Sequence, residues 1–146
     1  MPTVNEIIAR KGNQVHTIDG SATVLEATRR MNQQMIGALV VTEDTRVVGI
    51  FSERDVLRRV VAEQRRPAEV KVSEVMTEDV ICVTPETDVD EAAAIMQEKR
   101  IRHLPVCCGT DGSLIGMLSI GDINAMHATQ REQEIHFLND YIYGRV

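Results

Sequence analysis

Apolar residues fall in short bursts along this chain, and two rhythms alternate between them. Leu39-Val40-Val41 and residues 104–108 are continuous apolar runs of the buried-strand kind, and a second run follows each, over 47–51 and 114–118. Between the members of each pair lie Glu43-Asp44-Thr45-Arg46 and Gly109-Thr110-Asp111-Gly112, turn-rich segments that predict two hairpins. Ahead of each hairpin the spacing is helical, with Val24, Ala27 and Met31 in one place and Val89, Ala92, Ala93 and Met96 in the other. Thr23 with Glu26, and Asp88 with Glu91, supply cap-x-x-Glu starts for these helices. Short extended runs at 15–18 and 80–83 precede them, and a further helix is predicted after Ser52 and after Ser119. Each half therefore reads β-α-β-β-α.

The halves also repeat in residues. Val47-Val48-Gly49-Ile50-Phe51-Ser52-Glu53-Arg54-Asp55 returns as Leu114-Ile115-Gly116-Met117-Leu118-Ser119-Ile120-Gly121-Asp122, a shift of 67 positions. Val4-Asn5-Glu6-Ile7 matches Val72-Ser73-Glu74-Val75, Thr17 matches Thr84, and Ile36 to Val41 falls on Ile101 to Val106. Apart from one position between Ile7 and Thr17, the offset changes at Gly20-Ser21 and between Cys108 and Ser113, where loops absorb insertions that packed elements do not. An internal repeat of this length decides architecture before any single residue does. One unit of about 60 residues buries too little surface to be secure alone. The reading is an α/β (α+β) fold of two repeats, 1–69 and 70–128, packed sheet to sheet about a pseudo-two-fold with a shared core, followed by a tail over 129–146.

Composition narrows the function classes. A net charge of −6 argues against general nucleic-acid binding. No apolar run approaches the roughly 18 residues of a membrane span. Met1-Pro2-Thr3-Val4-Asn5-Glu6 lacks the pattern of a secretory signal, which predicts a cytoplasmic protein. Three cysteines, two of them adjacent, make no disulfide framework, and Cys107-Cys108 in one strand would point to opposite faces with no His/Cys cluster to complete a metal site. The charge is uneven: residues 1–73 carry a net of +2 and residues 74–146 a net of −8, so the first copy is the more anion-friendly.

The duplicated Ser-x-x-Asp has two compatible readings. Directly before a helix it is close to a capping box, with the serine taking a backbone N–H and the acid favouring the positive end of the helix dipole. A strand-to-helix junction also presents free N–H groups to an anion. A carboxylate one turn inside can take both hydroxyls of a ribose, and the serine can bond ribose or phosphate.

With these motifs in place, the chain resembles a tandem pair of cystathionine-β-synthase (CBS) domains, a Bateman module. The resemblance rests on Gly49 to Asp55, Gly116 to Asp122, Val72-Ser73-Glu74-Val75-Met76 and Arg102-His103-Leu104-Pro105-Val106, and covers about residues 3 to 128. It implies a cleft between the copies that takes an adenosine-containing ligand (AMP, ADP, ATP, NAD or S-adenosylmethionine), regulation of an unidentified partner protein, and pairing into a homodimer. It implies two sites. In the first, Asp55 holds the ribose, Ser52 and Arg54 the phosphate side, and Thr17, Gly37, Ala38 and Leu39 the adenine wall. In the second, Asp122 holds the ribose, Ser119 bonds ribose or phosphate, Thr84, Leu104 and Pro105 frame the base, and Arg102 and His103 reach phosphate. The first copy has Gly37-Ala38-Leu39-Val40 where the second has Arg102-His103-Leu104-Pro105, which ranks the second site above the first unless Arg54, Arg58 or Arg59 compensates.

With no Trp and only 3% Phe and Tyr, the adenine would lie between aliphatic side chains rather than on aromatic rings. Arg29-Arg30, Arg58-Arg59 and Arg65-Arg66 read as solvated helix faces. In the tail, Ile135, Leu138 and Ile142 recur at helical spacing, Gly144 is a stop signal, and Phe137, Tyr141 and Tyr143 are three of the four aromatics. That helix would dock on its own module or on a second subunit. Nothing in the sequence pairs a nucleophile with a base or forms a P-loop, so the chain is read as a nucleotide sensor rather than an enzyme. A ligand-free interaction and dimerisation module is the alternative.

Overall fold

The structure, a computed structural model, describes residues 2–12 and 14–142. In the first half, β1 (Thr17–Asp19) leads to α2 (Val24–Gln34) and the hairpin β2 (Ala38–Glu43) and β3 (Arg46–Ser52); α1 (Val4–Lys11) stands before them. α3 (Glu53–Asp55) follows β3 directly and continues as a π-helical stretch over Val56–Val61. A 3-10 turn (Pro67–Glu69) and the short α4 (Val72–Val75) lead to α5 (Val89–Lys99), the hairpin β4 (His103–Cys107) and β5 (Leu114–Ser119), and α6 (Ile120–Ile142).

The repeat extends to strand register. Val41 pairs with Gly49 and Val106 with Gly116, and each hairpin shifts register immediately afterwards. β1 joins β2 in parallel to make a three-stranded sheet, whereas the second sheet has two strands. The strand expected over 80–83 is thereby corrected: the segment touches β4 only through the single bridge Val83–Val106. One apolar pair at its end does not sustain a ladder, and the rest of the segment serves another purpose described below.

The two main helices start as their caps predict, by different means. The Thr23 hydroxyl accepts the Glu26 N–H at 3.1 Å and Glu26 returns the bond to the Thr23 N–H. Asp88 makes no such side-chain bond. In both cases the first helical N–H is taken by a carbonyl from the opposite repeat's leader: Val24 donates to Val70 at 2.8 Å and Val89 to Pro2 at 3.1 Å.

That exchange runs through the interior and corrects the expectation of one shared core. There are two. Val4, Ile7 and Ile8 of α1 are buried with Val83, Val89, Ala92, Met96, Leu104, Leu118 and Ile123 of the second repeat. Val72, Val75 and Met76 are buried with Val24, Ala27, Leu39, Phe51 and Val60 of the first. Each leader closes the other half, and the halves are locked about their pseudo-two-fold by exchange rather than by sheet-on-sheet packing. The motif glycines mark the contact points. A Cβ on Gly116 would lie 2.8 Å from the Ile8 side chain; one on Gly49 would meet Met76 Sδ at 2.6 Å and the Thr77 carbonyl at 2.8 Å. The glycine in each repeat is thus the footprint of the other repeat's leader.

The expected final helix and tail helix are one continuous element, α6, of 23 residues. Its first turns are anchored by Ile123 and Met126. Its outer half does not dock on its own module: Ile135, Phe137, Leu138, Tyr141 and Ile142 are all exposed, between 54% and 76%. Tyr143 and Gly144 lie outside the described residues.

Candidate functional site

Where β3 enters α3 and β5 enters α6, the strand ends converge on a cavity of about 460 Å³ between the repeats. From the first repeat it is lined by Gly37, Ile50, Ser52, Glu53, Arg54, Asp55, Arg58 and Arg59, and from the second by Arg100, Ile101, Arg102, His103, Ser119, Ile120 and Gly121. The segment that failed to form a strand supplies the remaining wall, with Thr77, Asp79, Val80 and Ile81. It is held there by reciprocal backbone bonds between Ile50 and Thr77, at 3.0 and 2.9 Å.

Asp55 is the buried acid of this site, only 5% exposed. One carboxylate oxygen accepts the Ser52 N–H at 2.9 Å and the Ser52 hydroxyl at 3.4 Å; the other accepts the Thr77 hydroxyl at 3.3 Å. Arg59 stands 3.8 Å away, its guanidinium engaged with the Val75 and Met76 carbonyls at 2.9 and 2.8 Å. Burial therefore wins: it pushes the Asp55 pKa above the usual carboxylate range against the pull of Ser52, Arg59 and Thr77. Five arginines line the cavity against Glu53, Asp55 and Asp79, so its wall is cationic overall. Arg54 donates to the Arg100 carbonyl at 3.2 Å, a bond that crosses from one repeat to the other. His103 is half-buried; burial above all, then Lys11, holds its pKa below the ordinary imidazole value, and at neutral pH it offers one N–H rather than a charge.

The structure brings together Gly37, Ser52, Arg54 and Asp55 with Arg102, His103 and Ser119, seven of the residues singled out from the sequence. Thr17, Ala38, Leu39, Thr84, Leu104, Pro105 and Asp122 do not line this cavity. Leu39 and Leu104 have no exposed surface and face the cores. The Thr17 carbonyl accepts Arg30, and the Thr84 N–H is taken by the Thr87 hydroxyl. Asp122 accepts the Ser119 N–H at 2.9 Å and Lys11 Nζ at 2.8 Å, while its own N–H donates to the Ser119 hydroxyl at 3.1 Å. Sequence reasoning missed Thr77, Asp79 and Arg100. Thr77 was within reach, since it directly follows the repeated Val72-Ser73-Glu74-Val75-Met76 leader.

Among the described residues no group of three His, Cys, Asp or Glu could hold a metal ion, and no helix is long and apolar enough to cross a membrane. Cys82, Cys107 and Cys108 are free thiols.

Comparison with known proteins agrees with this architecture. The profile of the CBS domain matches twice, over residues 4–62 and 72–125. The chain is similar to the mitochondrial CBS domain-containing protein CBSX3 of Arabidopsis thaliana, 38% identical over 97% of this chain and 72% of that protein. Set beside that protein and three curated relatives from Acidianus ambivalens, Methanopyrus kandleri and Bacillus subtilis, the chain spans 60–76% of the relative's own length. Among solved structures it is similar to a CBS-domain containing protein from Agrobacterium tumefaciens, with a TM-score of 0.81 at 34% identity over 86% of this chain and 99% of that one. A hexameric CBS-CP12 protein from bloom-forming cyanobacteria superposes with a TM-score of 0.74 at 32% identity, over 84% of this chain and 70% of that one.

Proposed function

The chain belongs to the CBS-domain family, and from that premise we propose that it is a sensor of an adenosine-containing ligand (AMP, ADP, ATP or NAD) that modulates a partner protein. CBS-pair proteins are regulatory, ligand-sensing modules rather than catalysts. The observation that carries the finer reading is the cavity between the repeats, where the Ser52–Asp55 junction of one copy meets Arg102, His103 and Ser119 of the other. Its volume of about 460 Å³ lies within the roughly 300–1,000 Å³ of small-molecule sites. Asp55 takes the ribose hydroxyls, and the adenine lies between Ile50, Val80, Ile81, Ile101 and Ile120, which suits a chain so poor in aromatics. Arg54, Arg58, Arg100 and Arg102 take the phosphates, so the first motif does not need basic residues of its own beside Gly37. A ligand touching both repeats favours one arrangement of the pair over another, and that population shift is the signal.

We place the sensor in the cytoplasm, whose reducing conditions suit three free thiols, and as a homodimer. The second reading, a ligand-free interaction module, is favoured by the exposed apolar residues of the outer α6. Thermal denaturation with AMP, ADP, ATP, NAD and S-adenosylmethionine separates the two. A ligand at 100 times its Kd stabilises the fold by about 2.7 kcal/mol. A melting point that none of the five moves would leave only the interaction module.

A further inference from the structure

The two Ser-x-x-Asp junctions match in sequence but differ in what faces their acid. The difference comes from the exchanged leaders. α4 is a single turn that ends at Val75; the chain then leaves the helix, passes through Thr77 and turns at Glu78–Val80, and a neutral hydroxyl meets Asp55 beside an open cavity. α1 continues for two turns to Lys11. By the repeat offset that sets Val4 on Val72, Lys11 stands where the first cavity has Asp79. Its ammonium donates to the Asp122 carboxylate at 2.8 Å and to the Met117 carbonyl at 2.7 Å, which spans the β5–α6 junction. Asp122 also takes the Ser119 N–H. Both bonds fall on Oδ2, and a ribose hydroxyl approaching that oxygen would have to replace a cationic donor with a neutral one, an unfavourable exchange.

We propose that Lys11 is a built-in latch that occupies the second ribose acceptor, so that the module takes one nucleotide per chain, at Asp55. The inference rests on the nucleotide reading of the cavity. It reverses the ranking that the sequence suggests: Arg102 and His103 belong to the repeat of the second motif, and His103 pairs with Ser119 across the hairpin, yet both line the cavity that holds Asp55. Lys11 then acts as a specificity residue by excluding ligand from one site while tying α1 to the repeat it closes.

The test is equilibrium dialysis of AMP and ATP against the full chain, comparing wild type, Lys11→Met and Lys11→Gln. Methionine keeps the aliphatic stem and removes the charge; circular dichroism and the melting point establish that each variant is folded. The expected stoichiometry is one per wild-type chain and two per Lys11→Met chain. One in both overturns the latch and leaves the cavity reading standing. Two in wild type overturns the latch without any variant. None in wild type, whether or not Lys11→Met binds one, removes the cavity reading and the latch that rests on it.

Discussion

Asp55 and Asp122 occupy one position of the repeat, yet their environments displace them in opposite directions. For Asp55 burial dominates and raises the pKa. For Asp122 burial also pushes upward, but the Lys11 ammonium and the Ser119 N–H together hold the carboxyl below the usual range. The consequences for stability have opposite signs. A raised folded-state pKa contributes stability below the unfolded value that is lost as pH rises through the folded one; a lowered pKa contributes stability above the unfolded value that is lost as pH falls through the folded one. Urea denaturation between pH 2 and 8 should therefore show Asp55→Asn gaining on wild type as pH rises through the Asp55 pKa. Asp122→Asn should be weaker by about 1.5–3 kcal/mol at neutral pH, the range for hydrogen bonds to charged groups, with the deficit shrinking as acid is approached. Variants that track wild type in parallel across that range would contradict the assignment. At this scale the sequence was informative about residue type and silent about company. Ser52 and Asp55 stood out because their chemistry suits a phosphorylated sugar, and Arg102 and His103 through the family resemblance. That all four line one cavity brings together residues some 50 positions apart, which no local pattern encodes.

Elements whose signals are local were legible. The capped helices, the two hairpins and the strand-to-helix junctions all lie close to their expected places, because periodicity and capping act within a few residues. The segment 80–83 was misread because its short apolar run resembles a strand, while the bridges around it are spread between Ile50, through Thr77, and Val106, through Val83. The break expected near residue 129 failed for a different reason: nothing between Ile120 and Ile142 interrupts a helix. Past Gln130 that helix is exposed on all sides up to Asn139. Ile135, Leu138 and Ile142 fall on one line of its outer half, with Phe137 and Tyr141 alongside, and an apolar stripe of that width is seldom left to water. Removing residues 130–146 should lower the mass seen by light scattering at micromolar protein from two chains to one and leave the melt cooperative. A truncated chain that still returns two would place the subunit contact elsewhere.

At the scale of the molecule, exchange of leaders makes the repeats mutually dependent. Ile8 is 3% exposed in a core whose other members come from residues 83 to 126, apart from its α1 neighbours. Ile8→Ala should cost about 2–5 kcal/mol through the lost methyl groups and the space they leave. The loss should appear in a single urea transition followed by probes in either half, since each half closes the other. Two separated transitions would mean that the halves fold independently. The sequence announced two copies but not which leader joins which core, because Val4 and Val72 are equally apolar whichever sheet they cover. The leader exchange also sets an order of events at the ribosome. The first core is complete once Met76 has emerged, because its closing turn follows it directly. α1 is made before the rest of its core and must wait for Met126, the last member of that core, about 115 residues later. At roughly 5–20 residues per second, Val4, Ile7 and Ile8 remain without their partners for on the order of ten seconds. The newborn chain passes through a half-finished state with the apolar face of α1 uncovered, the interval in which a chaperone would find it.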